Sequence, residues 1–477
     1  MTAATYQPRP SPYQPNPYYA SGPALDQVSA FERLGYNVLL VFLFLAFSRI
    51  FDVKFGNLHI TGIAYRLVFA MVILSRGFIT ACQTKIGKAL LGFTIWMGLS
   101  VPFSMWRGGS IPIFRDSWLA FSFVSFLACA GLISHYGQFR KAFTTLAWAL
   151  FTFTIIANVY GVSDNGRLFL EHGKFGNPNE MAQALLIGLP LWAAMMAGAQ
   201  SLPRKAFSFL TMILILFTTF RTGSRGAMIG FVVMGLFYFL RASIMDKMKL
   251  MVGGVLIVGI LLGTMPGKLV ARYKTTVDED ADDSGEMDAS MRESALSSSQ
   301  SRKMLLRKSL IFTAQHPLFG VGVGMFVVAD DAYSRANAGR KGQWLGTHNS
   351  YTQVSSEIGI PGFLFFVATI ILALKGPYTL YKRIRGDPRL DDMANMALAL
   401  HYCMILYAVT VLFEHIAYTI ILPVLGGLAA ALSRTAEAEI ARVQSVSAPI
   451  TMSPGMFQSY LRARPVQGGQ AYYGPVA

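Results

Sequence analysis

Charge is scarce in this chain. Asp, Glu, Lys and Arg make up 14 % of the 477 residues, against 53 % hydrophobic residues, and mean hydropathy is +0.45. A soluble domain carries about a quarter charged residues, so this balance excludes an ordinary soluble fold. Cysteine is scarcer still: Cys82, Cys129 and Cys403 fall in or beside apolar runs, which argues against a disulfide framework or a thiolate metal site. Acidic residues number 25 against 41 basic ones. Their densest run, 278–288, partly fits a calcium loop through Asp280, Asp282, Ser284, Gly285 and Asp288. Met291 stands where that loop needs Glu, so the run reads as a solvated acidic loop. No other cluster suggests a metal, and no cofactor is expected. No glycine-rich phosphate loop precedes a helix in a βαβ setting, which excludes a nucleotide substrate of that kind.

What the chain does have is apolar length. About twelve runs approach the length that crosses about 30 Å of hydrocarbon. They lie near 36–51, 59–75, 88–105, 116–135, 142–160, 181–199, 206–220, 225–240, 249–265, 355–375, 396–413 and 415–433. The expected fold is an all-α polytopic membrane protein with one large extracytoplasmic loop between the ninth and tenth spans. The net charge of +16 does not point to nucleic acid, because the basic residues alternate with apolar runs and form no continuous stripe. They sort by side instead, with Arg140, Lys141, Arg204, Lys205, Arg241, Lys382 and Arg383 among many in one set of loops. Few, among them Arg167, Arg221 and Arg225, lie in the other. The positive-inside rule puts the first set in the cytoplasm. The expected division is a disordered cytoplasmic tail at 1–34, spans one to nine over 35–265, an outer loop at 266–350, spans ten to twelve over 351–435 and a second tail at 436–477. Residues 1–30, rich in Pro, Tyr and Gln, lack the pattern of a signal peptide.

Ionisable groups at the ends of apolar runs cost free energy near a bilayer and mark function by default. Arg221 and Arg225 flank Thr222-Gly223-Ser224. Arginine grips phosphate oxygens bidentately, and the small residues allow close backbone approach. The plainer reading is a pair of interfacial, snorkelling arginines. In THNSYTQVSSEIGIPGFLFF (347–366), Ser350 and Gln353 read as a capping box that opens a helix. His348 and Asn349 then sit at its mouth, where the helix dipole disfavours imidazolium and a neutral ring serves as general base. A helix-cap or interfacial role is the alternative for His348. Arg302 lies on an expected helix near 302–315 that leads into HPLFGVGVG (316–324); from spacing alone it reads as a solvated charge. His316, before Pro317, reads as a turn residue with a possible substrate contact. In NPNEMAQ (177–183), Asn177 or Asn179 caps the next span, or Asn179 and Glu180 support an acceptor.

Taken together, GSRGAMIGF, the segment from Arg302 to HPLFGVGVG, HNSYTQVSSEIGIPGFLFF and FGNPNEMAQALLIGLPL resemble the O-antigen ligase and polymerase superfamily over roughly residues 170–375. The resemblance implies twelve spans and a periplasmic loop between the ninth and tenth, in the bacterial inner membrane. It also implies metal-independent transfer of glycan from an undecaprenyl-diphosphate-linked donor to an acceptor hydroxyl, such as lipid A–core or a second lipid-linked glycan. Arg225 and Arg302 match the family's arginines toward the diphosphate. His348 matches the histidine that activates the acceptor. Leu306 departs from the family, which often has Trp there. Ligase and polymerase differ only in acceptor, which the residues do not decide; ligase is the expectation taken, with polymerase as the alternative. A lipid-linked glycan transporter is the rival of another class; it calls for inverted repeats and broken helices at mid-membrane.

Overall fold

The computed structural model describes residues 30–55, 60–164, 166–171, 175–264, 267, 273 and 289–446. The candidate calcium positions Asp280, Asp282, Ser284, Gly285 and Asp288 and most of both expected tails lie outside the described residues.

Almost everything described is helical. The first half comprises α1 (Ala30–Ser48), α2 (Ile50–Phe55), α3 (Ile60–Leu74), α4 (Gly77–Gln83), α5 (Lys85–Ser100), α6 (Arg107–Pro112), α7 (Val124–Leu132) and α8 (Tyr136–Tyr160). A π-helical stretch, Ile113–Phe123, joins α6 to α7. A short antiparallel hairpin follows, β1 (Val162–Asp164) with β2 (Arg167–Phe169), pairing Asp164 with Arg167. Then come α9 (Pro178–Ala197), α10 (Leu202–Arg221), α11 (Arg225–Arg241), α12 (Ile244–Thr264), α13 (Ala289–Gln315), α14 (Phe326–Ala338), α15 (Ser350–Ile384), α16 (Asp391–Thr410) and α17 (Ile421–Val446).

Each expected apolar run overlaps a helix, although residues 415–420 of the last run precede α17. Among the described residues, eight helical stretches are long and apolar enough to cross a membrane. The pair α3–α4, bent by 79°, makes up to nine. The remaining runs fall on α11, α12 and α17. α11 has 17 residues, and the second half of α17 carries Arg434, Glu437, Glu439 and Arg442. Among the described residues, helix runs from Ala30 in α1 and to Val446 in α17.

The core runs between helices rather than under a sheet. Large side chains such as Trp118, Trp192, Phe93, Phe143 and Tyr407 are fully buried. The indoles are satisfied there, Trp118 Nε1 donating to Thr94 Oγ1 and Trp192 Nε1 to Ala147 O, both at 3.0 Å.

The element that positions the loop before it is α15, which is broken at Gly359 (φ 80°, ψ 178°). Pro361 has no N–H for the carbonyl of Glu357, four residues back. Backbone carbonyls freed inside a protein need new donors, and they find them outside the helix. Val321 N donates to Ser356 O (2.8 Å) and Gly322 N to Glu357 O (2.9 Å). Trp96 Nε1 donates to Ile358 O (3.0 Å), and Ile360 N turns back to Pro317 O (2.7 Å). The segment 316–324 is thereby seated on the break. Phe319 stacks between Trp96 and Phe103, with ring centres 5.2 and 4.1 Å away. A Cβ on Gly320 (φ +68°) would lie 2.3 Å from Glu357 C, so this close approach requires glycine.

Above the break, α13 and α14 form a small second core of Leu305, Phe312, Val321, Met325, Phe326 and Ala329. A buried ion pair between Lys308 and Asp330 locks them, and Asp330 also accepts from Gln343 N (3.0 Å).

Candidate active site

Three local structures converge at the end of the bundle below this loop. The first is the turn between α10 and α11. Gly223 adopts φ 63°, and Ser224 caps α11 by accepting from Ala227 N (3.3 Å). Arg225 therefore occupies the first position of α11. Close packing, rather than ligand approach, explains the small residues next to it: a Cβ on Gly226 would sit 2.7 Å from Phe413 Cβ, and one on Gly230 2.7 Å from Thr410 Cγ2.

The second is the mouth of α15. The expected Ser350–Gln353 capping box does not form. Asn349 is the cap, its Oδ1 accepting from Tyr351 N (2.9 Å) and Thr352 N (3.1 Å). A one-residue shift frees Ser350 and Gln353 to tie down the connection between α16 and α17. Ser350 Oγ donates to Glu414 O (2.7 Å) and accepts from Ile416 N (3.0 Å), while Gln353 Oε1 accepts from Ala417 N (3.2 Å). His348, just before the cap, has φ 50°, an uncommon conformation for a residue with a Cβ.

The tied connection brings His415 against His348. Their rings meet edge to face, centres 5.1 Å apart and 89° inclined. Gly346 makes room, since a Cβ there would lie 2.5 Å from His415 Cδ2. Nδ1 of each histidine is buried without a hydrogen-bond partner among the described residues. Burial, then the neighbouring His415 and Arg302, push His348 down to about 4. Burial likewise lowers His415. Both rings are neutral at pH 7.

The third structure is the β-hairpin. Arg167 reaches from β2 to the α10–α11 turn, Nε donating to Thr222 O (2.9 Å) and Nη2 to Asn179 Oδ1 (2.8 Å). Asn177 caps α9, its Oδ1 accepting from Asn179 N (2.9 Å), which leaves the Asn179 side chain to orient Arg167. Burial lowers the Arg167 guanidinium, with Tyr273 and Glu414 opposing and Arg302 and Arg225 adding to the effect. Glu414 is 4 % exposed. Burial and the negative Glu180 raise it to about 8, against the pull of Arg302 and Arg167.

These mutual fields draw Arg167, Arg225, Arg302, Glu180, Glu414, His348 and His415 into one cluster. Of the residues expected from sequence, it holds Arg225, Arg302, His348 and Glu180, with Asn349 and Asn179 as their supports. Arg221 turns aside, Nη1 donating to Asn158 Oδ1 (2.9 Å). His316 is exposed in the turn after α13, its carbonyl accepting from Gly320 N (3.0 Å). Sequence reading did not single out Arg167, Glu414 or His415. The signal existed: Arg167 is an arginine on the arginine-poor side, and Glu414-His415 are ionisable neighbours between two apolar runs.

Chemically, the cluster sets several fixed cations beside neutral imidazoles and a protonated carboxyl, which suits an anionic substrate and a proton transfer. Fold and cluster together define a multi-pass helical membrane protein with a polar, ionisable cluster at one end of its bundle. Residues 210–367 match the family model described as O-antigen ligase. The match places this segment, which carries Arg225, Arg302 and His348, in the O-antigen ligase-related family and implies a ligase- or polymerase-type membrane enzyme of glycosyltransferase-like activity. Arg167, Glu180, Glu414 and His415 lie outside the matched residues. No curated protein matches the chain.

Proposed function

We propose that this protein is a ligase-type glycosyltransferase of the bacterial inner membrane. In this reading it moves a glycan from an undecaprenyl-diphosphate-linked donor to an acceptor hydroxyl, lipid A–core or similar, at the periplasmic face and without a metal. The observation that carries the reading is a buried, neutral His348 beside Arg302, with Arg302, Arg225 and Arg167 grouped in one site.

The acceptor oxygen attacks the anomeric carbon as the bond from that carbon to the diphosphate oxygen breaks. His348, neutral and unprotonated, takes the hydroxyl proton. The electron pair of the breaking bond leaves on the diphosphate, where Arg225 and Arg302 stabilise the growing charge. Arg167, held by Asn179 and the Thr222 carbonyl, adds a third fixed cation. Glu414 stays protonated at neutral pH and so adds no negative charge to compete with the diphosphate. His415 is a positioning residue, whose ring packs edge to face with His348 and holds it in place; burial keeps His348 neutral. A position at the bilayer edge suits a donor whose lipid stays in the membrane.

A polymerase would use the same site with a second lipid-linked glycan as acceptor. Deleting the gene in its native host and sizing the glycan left on undecaprenyl diphosphate separates the two. Long chains on the lipid support a ligase; single repeat units mean a polymerase. No accumulation of lipid-linked glycan contradicts both.

A further inference from the structure

At the end of the bundle opposite His348, α11, α15 and α16 enclose a second polar cluster that the transfer reaction does not use. His401, on α16, is 2 % exposed. Its Nδ1 lies 3.0 Å from Leu374 O and its Nε2 3.2 Å from Arg241 Nη1. A carbonyl only accepts and a guanidinium only donates, so the ring carries its proton on Nδ1 and is neutral. His401 thus fixes Arg241 without balancing its charge. The ring of Tyr378 stacks on His401, centres 4.6 Å apart. Two cations crowd that same ring: Arg241 Cζ at 4.5 Å from its centre and Lys382 Nζ at 4.9 Å.

Among the described residues neither cation is paired with a carboxylate, and acids of the same end are engaged elsewhere. Glu437 is held by Arg383, Glu439 by Arg442 and Asp392 by Arg140. Two like charges around one ring repel unless an anion sits with them. Both are exposed. They border a lipid-like face: Val232, Leu236 and Leu240, at helical spacing on α11, are 60 %, 51 % and 66 % exposed.

We propose that Arg241, Lys382 and Tyr378 bind the phosphate of an anionic phospholipid whose acyl chains lie along Val232, Leu236 and Leu240. The cations take the phosphate oxygens, the Tyr378 ring holds the cations in place through its face, and the apolar stripe takes the chains. A polar head between basic and aromatic side chains at a membrane surface is the arrangement such lipids favour.

The test uses the full-length protein purified in a zwitterionic detergent and native mass spectrometry, with phosphatidylglycerol and phosphatidylcholine at equal concentration. The wild type is expected to retain phosphatidylglycerol preferentially. Arg241→Gln and Lys382→Gln should each cut that preference about five-fold, and Arg241→Lys should restore most of it. Lys382 is exposed, so its variant reads the site even if Arg241→Gln disturbs folding. Equal retention of the two lipids, or a preference unchanged in Lys382→Gln, overturns the proposal. So does binding of inorganic phosphate alone with the same dependence on Arg241 and Lys382 while phosphatidylglycerol shows no preference; the ligand is then a free anion.

Discussion

Burial sets the protonation of the reaction site at the level of single residues, and the pH dependence follows from it. His348 is pushed down to about 4, so in the proposed mechanism it is an unprotonated base at neutral pH and gains its proton only as pH falls through about 4. Glu414 is pushed up to about 8; above that pH it becomes a carboxylate beside Arg302 and Arg167 and competes with the diphosphate. We expect kcat/KM for transfer to fall on the acid side near 4 and on the alkaline side near 8, and Glu414→Gln to remove the alkaline limb alone. An alkaline limb unchanged in Glu414→Gln contradicts this role. Removing the third arginine, Arg167→Ala, should lower kcat/KM about 100-fold, with part returned in Arg167→Lys; full activity in the alanine variant contradicts its place at the leaving group. Arg225 and His348 are legible in sequence because each stands at the edge of an apolar run, where charge is expensive. Arg167, Glu414 and His415 come from segments distant in sequence: only the Ser350 and Gln353 hydrogen bonds and the Arg167 bridge bring them in. Those are contacts across 60 or so positions of sequence (Ser350 to Glu414 spans 64), which local pattern does not show.

At the scale of elements, the break in α15 joins chemistry to scaffold. Gly359 and Pro361 turn backbone carbonyls outward, and Val321 and Gly322 of the outer loop occupy them. The loop carrying Arg302 is thereby fixed against the helix that His348 precedes. Glycine is required on both sides of the contact. A Cβ on Gly359 would lie 2.1 Å from Leu318 O, and its positive φ costs any other residue about 1–3 kcal/mol before that clash is counted. Gly359→Ala and Gly320→Ala are each expected to lower the thermal midpoint and to reduce transfer. Gly339→Ala, also at positive φ but with nothing within 4 Å of the added Cβ, should leave transfer intact. Equal loss of transfer in all three would separate activity from this contact. The sequence marks the turn-forming character of HPLFGVGVG and the Pro361 interruption, but not that one is the other's hydrogen-bond partner. The capping error has the same origin: Asn349 and Ser350 are both good caps, and tertiary contacts to Glu414 and Ile416 decide between them.

At the scale of the whole molecule, hydrophobic length is the most legible property, because a span is a local feature of about 20 residues. Each expected run overlaps a helix, while the count of crossings depends on how α3–α4, α11, α12 and α17 sit in the bilayer. The proposed orientation rests on the charge bias of the loops. A membrane-impermeant thiol reagent applied to intact cells with a permeabilised outer membrane should label Arg340→Cys in the outer loop. It should label Arg385→Cys, after α15, only once the inner membrane is opened. The reverse pattern inverts the topology and puts the reaction site in the cytoplasm. The central claim, that the arginine–histidine cluster transfers glycan from a lipid diphosphate, is tested most directly with purified protein, an undecaprenyl-diphosphate-linked glycan and a lipid A–core acceptor. The account predicts glycan on the acceptor with wild type, and a rate lower by about 10²–10⁴-fold in a folded His348→Ala variant. Transfer at the wild-type rate by that variant would contradict it.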